Sequence, residues 1–431
     1  MDWHFFVQLS SLLVIVLYTV MVFRNVDPLV ATAIGVVLGF LFNLSSPIEI
    51  GKTMEAALGS FMALVGLIIM LGRGLGEILT ETKVSHTMVH KIVYSIGVNT
   101  QRRVKIGIVT SSVVIVAVLG TLAGGLAILA PILRPIAGSV KLSRPSMAVL
   151  MQAAGEEALI LGPFAPPVVA LLGVTGISYG SMLLYASIPI ALVTIVVTWV
   201  MASRLQVQYA HETFPHDATE ERFVPTKQQN TATIIFILAF IACVAYGLIF
   251  QAKTSYVIFV MLFLSILTGI VGGLRIGKVF HLLVEGMKKN FHLFFIFFLL
   301  GPMLDLVQKA GGFAALMKLF VPLEHFGGKI VLSILIGITG AFGMPAASAA
   351  VIKMLHEMFS PVALEMNLSV MTFAFSMLLA TRITNFAIPG ANMFAAMGFA
   401  ESQNVKAMIK NGLTVTAVQI LFLVTYSIIW H

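Results

Sequence analysis

The sequence predicts an all-α polytopic membrane protein with about ten transmembrane helices and two re-entrant hairpins, arranged as two inverted repeats. The first observation behind this prediction is composition. Of the 431 residues, 59% are hydrophobic and 10% are charged, and the mean hydropathy is +1.01. A soluble domain carries about 25% charged residues. Apolar runs near the length that crosses about 30 Å of hydrocarbon recur along the chain, so we expect a lipid bilayer around it.

The second observation is an internal duplication. The tripeptide Ile-Gly-Lys occurs at 50–52 and again at 276–278, and 120-GTLAGGLA-127 is similar to 339-TGAFGMPA-346. A duplication of this length in a membrane chain is typical of a transporter. We therefore predict three parts, which are a first inverted repeat at 1–205, a linker at 206–231 and a second inverted repeat at 232–431.

The third observation is the charge of the loops. If the two Gly-rich segments are hairpins that return to their own side, each half crosses the membrane an odd number of times and the halves are inverted. If they are full crossings, the halves have the same orientation. Under the hairpin model, most of the 26 lysine and arginine residues lie on one side, as cytoplasmic loops require. We therefore expect a multi-pass protein of the inner (plasma) membrane, with both termini extracytoplasmic and the central linker cytoplasmic.

Each half contains the same order of predicted elements: three spans, an amphipathic stretch, an interrupted hairpin segment, a broken span and a last span. In the first half these are 10–23, 28–43, 57–80, 84–95, 104–137, 147–174 and 180–202. In the second half they are 232–250, 254–271, 289–308, 312–323, 329–358, 367–398 and 409–430.

Charge and cysteine content exclude other classes of protein. The net charge of +8 comes from basic residues in short loops between spans, which indicates membrane topology and not nucleic acid binding. Cys243 is the only cysteine and lies in a predicted span, so we expect neither a disulfide nor a thiolate metal site. No pairing of a nucleophile with a base is recognisable, so we expect no enzyme and no cofactor apart from a coupling ion.

Two broken spans carry charges where charges are costly. In 152-QAAGEEALILGPFAPPVVALLG-173, Glu156 and Glu157 precede the break at Gly162-Pro163. In 377-MLLATRITNFAIPGAN-392, Arg382 lies at the same distance before Pro389 as Glu156 lies before Pro163. Ionisable groups and broken helices at membrane depth indicate a binding cavity. A structural salt bridge between Glu156 and Arg382, with the breaks as packing kinks, is the alternative.

The predicted roles follow from side-chain chemistry. Arg382 can bind a substrate carboxylate through two parallel hydrogen bonds, while threonine, asparagine and the glycine-rich hairpin tips add neutral contacts. The predicted substrate-binding residues are Thr121, Gly124, Gly125, Gly343, Ser348, Thr381, Arg382, Thr384, Asn385 and Asn392. Glu156 and Glu157 are predicted to couple transport to a proton or sodium ion, since burial favours a protonated carboxyl group. Adjacent helical residues diverge by about 100°, so only one of the two can face the site.

The segments 54-MEAALGSFMALVGLIIMLGRGLGEILTET-82 and 160-ILGPFAPPVVALLGVTG-176 resemble the gluconate permease family of the ion transporter superfamily. The order of elements is similar over nearly the whole chain. The resemblance implies a homodimer with a scaffold and a mobile transport domain, an elevator-type motion, and a binding site between the hairpin tips and the broken helices. Sodium/proton antiporters are a neighbouring family. The adjacent Glu156 and Glu157 depart from a sugar-acid permease and favour an amino acid substrate, whose ammonium group needs a carboxylate.

These inferences predict a secondary active transporter that imports a small carboxylate-bearing metabolite, an organic acid or amino acid, by proton or sodium symport. The alternative is a cation/proton antiporter in which Glu156 and Glu157, with Asp305 as a further candidate, exchange ions without an organic substrate. A channel is a more distant alternative, because re-entrant hairpins also occur in channels.

Overall fold

The computed structural model describes residues 3–24, 26–97, 99–214, 223–320, 328–340 and 348–430. Within these ranges the chain is helical and contains no strand, with one isolated bridge between Ser143 and Thr213. An apolar chain in lipid must satisfy its backbone polar groups internally, and helices do so within one segment. The prediction of an all-α polytopic membrane protein is confirmed.

Among the described residues, nine helical segments are long and apolar enough to cross a membrane. They are Phe5–Val22, Phe61–Glu81, Leu122–Ser139, Arg144–Thr175, Tyr179–Gln208, Lys227–Ile249, Phe291–Lys309, Val370–Ala387 and Val405–Ile429. The segment Leu122–Ser139 is one limb of the first predicted hairpin. The predicted spans at 28–43 and 254–271 form shorter apolar helices.

In the described residues of the first half there are twelve α-helices and a π-helical turn. They are α1 (Trp3–Ser10), α2 (Leu13–Phe23), α3 (Pro28–Phe42), α4 (Pro47–Leu58), α5 (Phe61–Glu81), α6 (Val84–Ile96), α7 (Gln101–Leu119), α8 (Leu122–Ser139), α9 (Arg144–Leu161), α10 (Pro166–Thr175), α11 (Tyr179–Met182), the π turn (Leu183–Ser187) and α12 (Ile188–Gln208).

The second half repeats the order of these elements from α2 onward. It contains α13 (Lys227–Ile249), α14 (Tyr256–Val271), α15 (Ile276–Lys289), α16 (Phe291–Lys309), α17 (Gly312–Phe320), α18 (Gly328–Gly340), α19 (Ser348–Glu365), α20 (Val370–Ala387), α21 (Ala391–Phe399) and α22 (Val405–Ile429). The boundaries of the two repeats and their opposite orientation in the membrane stay predictions. Residues 215–222 of the linker, Met1 and His431 lie outside the described residues.

The helices α4 and α15 were not predicted from the sequence. Each precedes the third long helix of its half, and each mixes charged with apolar residues, so neither is an apolar run. The start of α4 is nonetheless encoded locally. The Ser46 hydroxyl accepts a hydrogen bond from the Glu49 amide, the Glu49 carboxylate accepts one from the Ser46 amide, and Pro47 occupies the first helical position.

The interrupted segments form paired helices. The helices α7 and α8 pack against each other and meet at Gly120, which ends α7 in the left-handed conformation with φ of +66°. The helices α18 and α19 pack together in the same way, and the residues between them (341–347) lie outside the described residues. The return of each pair to its own side of the membrane stays a prediction.

The two halves pack into each other reciprocally. The helix α10 of the first half contacts α19, and α21 of the second half contacts α8. Likewise α5 packs against α14 and α16, and α16 packs against α3. Where α5 crosses α15, a Cβ atom on Gly286 would lie 2.5 Å from the Cα atom of Gly74, so the two backbones touch. This contact explains Gly74 as a packing residue.

Candidate functional site

The site lies where the two broken helices approach each other. The helix α9 ends at Leu161 and α10 begins at Pro166, while α20 ends at Ala387 and α21 begins at Ala391. Both breaks contain a proline, which has no amide hydrogen to continue a helix. The breaks at Gly162-Pro163 and near Pro389 lie where the sequence predicted them.

Glycine lets the hairpins approach the broken helices closely. A Cβ atom on Gly162 would lie 2.5 Å from the carbonyl oxygen of Ala117 in α7. A Cβ atom on Gly340, at the end of α18, would lie 2.3 Å from the Cβ atom of Ala380 in α20. Each half therefore has one glycine that brings the first hairpin helix against the first part of the broken span.

Glu156 and Arg382 form a salt bridge across these two helices. The Nη1 atom of Arg382 donates to the Oε2 atom of Glu156 at 2.8 Å and to the Glu156 carbonyl oxygen at 2.6 Å. Both side chains are 0% exposed. The sequence placed the two charges at corresponding positions, and the structure brings them into direct contact.

Neutral side chains complete the hydrogen bonds of this pair. The remaining nitrogens of Arg382 donate to Ser348, from Nη2 at 2.9 Å, and to Thr381, from Nε at 3.1 Å. Asn385 and Asn392 each donate to one oxygen of Glu156 at 2.8 Å. Every nitrogen of Arg382 and both carboxylate oxygens of Glu156 are thus engaged within the protein. A buried ion pair needs this degree of satisfaction to offset its desolvation.

Four of the other predicted substrate-binding residues lie elsewhere. The Thr384 hydroxyl donates to the backbone carbonyl groups of Gly340 and Ala380, not to the charged pair. Thr121, Gly124 and Gly125 lie at the first turn of α8. A Cβ atom on Gly124 would lie 2.5 Å from Arg73, and one on Gly125 would lie 2.5 Å from Val116. The predicted residue Gly343 lies outside the described residues.

The hydrogen bonding of Glu157 differs from that of its neighbour Glu156. Its side chain is 0% exposed, and neither carboxylate oxygen has a hydrogen-bond partner in the described part of the chain. The Thr194 hydroxyl on α12 and the Arg382 guanidinium are close enough to act on its charge, but Arg382 is bound to Glu156. Because adjacent helical residues diverge by about 100°, only Glu156 joins the ion pair.

Sequence reasoning missed two polar residues close to Glu157. The Gln419 side chain on α22 donates from Nε2 to the Thr194 hydroxyl at 2.9 Å, and both residues are buried. The helices α9, α12 and α22 pack against one another. The available signal was a glutamine inside the apolar span at 409–430, since polar side chains in spans are usually turned inward.

A cavity of about 870 Å³ lies beside the break between α9 and α10. Pro163 and Phe164 of the break line one wall, Tyr179 lies near the start of α11, and Lys253 and Tyr256 come from the connection between α13 and α14. The cavity therefore extends from that connection to the unwound backbone of the break.

Comparisons with known proteins agree with a transporter. The model of the Na+/H+ antiporter family matches residues 1–203, a stretch that includes Glu156 and Glu157. The Alcanivorax borkumensis YdaH transporter, described as having an unusual topology, has a similar structure, with a TM-score of 0.61 over 93% of this chain and 98% of that chain. At 15% identity the likeness is one of fold. A comparison with curated proteins gave no match.

The helical membrane fold and the antiporter-family match identify a secondary transporter. The matched family is the sodium/proton antiporter family, which neighbours the gluconate permease family in the same superfamily resemblance. It is not the gluconate permease family that residues 54–82 and 160–176 resemble.

The buried ion pair predicts a strong coupling between its two members. Replacing Glu156→Gln alone leaves the Arg382 guanidinium buried without a counter-charge, which we expect to lower the free energy of unfolding by about 3–5 kcal/mol. The double variant Glu156→Gln/Arg382→Gln removes both charges and should recover most of this loss. Denaturation of the four proteins of this double-mutant cycle in mixed micelles measures the coupling.

The Arg134–Glu401 pair is the matched control. Its charged atoms are 2.9 Å apart, but the side chains are 30% and 44% exposed. An exposed pair contributes about 0.2–1 kcal/mol, so its cycle should show little coupling. A coupling at Glu156–Arg382 that is no larger than at Arg134–Glu401 would contradict the structural role of the buried pair.

Proposed function

We propose that the protein exchanges sodium ions for protons and that Glu157 is the carboxylate that binds them in turn. The observation that carries the proposal is the contrast between two adjacent buried carboxylates. Glu156 is neutralised by Arg382 and two asparagines. Glu157 is equally buried and has no hydrogen-bond partner among the described residues. The match to the Na+/H+ antiporter family supports this reading.

The proposed exchange follows from the free-energy cost of burying an ionised carboxylate without a partner. An ionised carboxylate that is buried without a partner is strongly destabilised, so the stable forms of Glu157 carry either a proton or a cation. One carboxylate cannot neutralise its charge with both at once. Binding of sodium therefore displaces the proton, and the two ions compete for the same group.

Alternating access is proposed to come from the paired and broken helices. The helix α9 packs against α7, α8 and α12, while α10 contacts α19 and α21 contacts α8. These contacts tie the two broken spans and the two helix pairs into one body around the ion pair. An elevator-type motion of this body against a scaffold, within a homodimer, is the mechanism that the family resemblance implies.

A second candidate function is uptake of a carboxylate-bearing metabolite, an organic acid or amino acid, by proton or sodium symport. The presence of Arg382 among Ser348, Thr381 and Asn385 favours it, because a guanidinium can bind a carboxylate through two hydrogen bonds. In this case the bond between Glu156 and Arg382 must open to admit the substrate. Accumulation of an organic substrate under an ion gradient would favour this candidate.

We propose a plasma-membrane location with the linker cytoplasmic. Exposed Lys227 and Ala252 flank α13 at its two ends, so they test the orientation. In a Cys243→Ala background, a membrane-impermeant maleimide should label Ala252→Cys in intact cells and Lys227→Cys only after permeabilisation. The reverse pattern would contradict this topology and the inverted repeats drawn from it.

The variant Glu157→Gln tests the proposed exchange. In proteoliposomes with an acidic interior, external sodium should dissipate the pH gradient through the wild-type protein without any organic substrate. We expect Glu157→Gln to reduce this signal to that of protein-free liposomes, because a neutral amide cannot exchange the two ions. Its melting temperature in sodium-free buffer should not fall, because a neutral amide then replaces a protonated, equally neutral carboxyl group of similar shape.

The control variant is Glu285→Gln. Glu285 is an exposed carboxylate bonded to Lys288 at 2.6 Å on α15, and neighbouring Lys288 holds the pKa of Glu285 below its usual value. We expect this variant to exchange ions at the wild-type rate. Wild-type exchange by Glu157→Gln would show that Glu157 is not the exchanging group. A wild-type signal that requires an amino acid or organic acid would replace antiport by the second candidate.

A further inference from the structure

Buried polar side chains are numerous on α9, α12 and α22, three helices that pack against one another. The helix α9 is buried along nearly its whole length, whereas α12 and α22 also expose apolar residues, and buried polar side chains in apolar spans are costly. All of them are buried: Gln152 and Glu157 on α9, Thr194 and Thr198 on α12, and Asn411, Thr416 and Gln419 on α22.

Three of these side chains share one neighbourhood. The Thr194 hydroxyl lies beside the Glu157 carboxyl group and accepts the hydrogen bond from the Nε2 atom of Gln419 at 2.9 Å. The Gln419 amide therefore uses its nitrogen within the protein, while its Oε1 atom has no donor among the described residues. Both carboxylate oxygens of Glu157 likewise have no hydrogen-bond donor among the described residues. Oxygen atoms without donors thus come from both α9 and α22, the two helices whose side chains meet Thr194 of α12.

The unpartnered oxygens of Glu157 and Gln419 can be satisfied together by one cation, which several oxygen atoms can coordinate at once. Every unsatisfied buried acceptor costs free energy, and clustering several of them repeats that cost. We propose that Glu157, Thr194 and Gln419 together bind a dehydrated monovalent cation, sodium or lithium, through their side-chain oxygens. This inference rests on the proposed function and extends it, since it supplies the neutral ligands from α12 and α22 and the class of ion.

Charge balance favours a monovalent ion. The charge of Glu156 is balanced by Arg382, so the negative charge that remains uncompensated among the described residues of this region is that of Glu157. A sodium or lithium ion makes the region neutral, whereas calcium or magnesium would leave a buried positive charge. The ligands are a carboxylate, a hydroxyl and an amide oxygen, which suit a hard cation, and no thiolate or imidazole joins them for a transition metal.

The position along α9 supports the same assignment. Glu157 lies about one turn before the end of α9 at Leu161. The carbonyl end of a helix carries a partial negative charge and favours cations. In transporters with broken helices, the carboxyl ends of half-helices coordinate coupling ions in this manner.

Sodium binding to the purified full-length protein tests the inference. The probe is radioactive sodium in detergent, with the sodium-dependent rise in melting temperature as the second readout. We expect Thr194→Val and Gln419→Met each to raise the apparent dissociation constant for sodium by about tenfold or more, through loss of one oxygen ligand. Thr194→Ser keeps the hydroxyl and should bind within about twofold of the wild type.

The matched control is Thr198→Val. Thr198 lies one turn along α12 from Thr194, is equally buried, and has a hydroxyl without a partner in the described part of the chain. We expect it to bind sodium as the wild type does. Melting temperatures in sodium-free buffer separate loss of the site from loss of the fold, and Thr194→Ser decides the case if Thr194→Val is less stable.

The outcomes separate this inference from the proposed function. Unchanged sodium affinity in Thr194→Val and Gln419→Met, with loss in Glu157→Gln, would overturn the three-residue site and leave the exchange at Glu157 standing. Weak binding by Thr194→Ser equal to that of Thr194→Val would also overturn the hydroxyl ligand. Absence of sodium binding by the wild type, together with absence of exchange, would overturn both.

Discussion

The salt bridge between Glu156 and Arg382 is the interaction on which the arrangement of the site depends. It joins α9 of the first half to α20 of the second, and it has no exposure to solvent. A pair of this kind is tolerated in a membrane only when further hydrogen bonds complete it, and four neutral side chains do so here. By neutralising Arg382 it also leaves Glu157 as the adjacent carboxylate without a counter-charge, and this asymmetry is the basis of the proposed exchange.

The packing around the pair explains how the broken helices are held. Gly162 and Gly340 admit close contacts with Ala117 and Ala380, so each hairpin helix lies directly against the broken span of its own half. The second part of each broken span then packs on the hairpin of the other half. A shift of one element therefore requires the others to move with it. A proposed transport domain needs this property, because access must change on both sides of one site.

Local sequence patterns were sufficient to predict the class of protein and the positions of the helix breaks. They were insufficient to predict which helices and side chains contact each other. Hydropathy predicted the spans, and proline after glycine predicted the end of α9. The helices α4 and α15, which mix charged and apolar residues, were not predicted because they are not continuous apolar runs. The direction in which Gly124 faces, toward Arg73, and the pairing of Gln419 with Thr194 join residues far apart in the chain. Such contacts depend on how helices cross, and a single sequence does not encode that in any short-range pattern.

The central claim is the division of roles between two adjacent carboxylates, and difference infrared spectroscopy tests it most directly. The account predicts a carboxylic acid C=O band that is present in sodium-free wild-type protein and disappears when sodium is added, because the ion displaces the proton from Glu157. The band should be absent from Glu157→Gln and present in the double variant Glu156→Gln/Arg382→Gln, which removes the neighbouring ion pair as a whole. A sodium-sensitive band that survives in Glu157→Gln, or that vanishes in Glu156→Gln/Arg382→Gln, would contradict this division of roles.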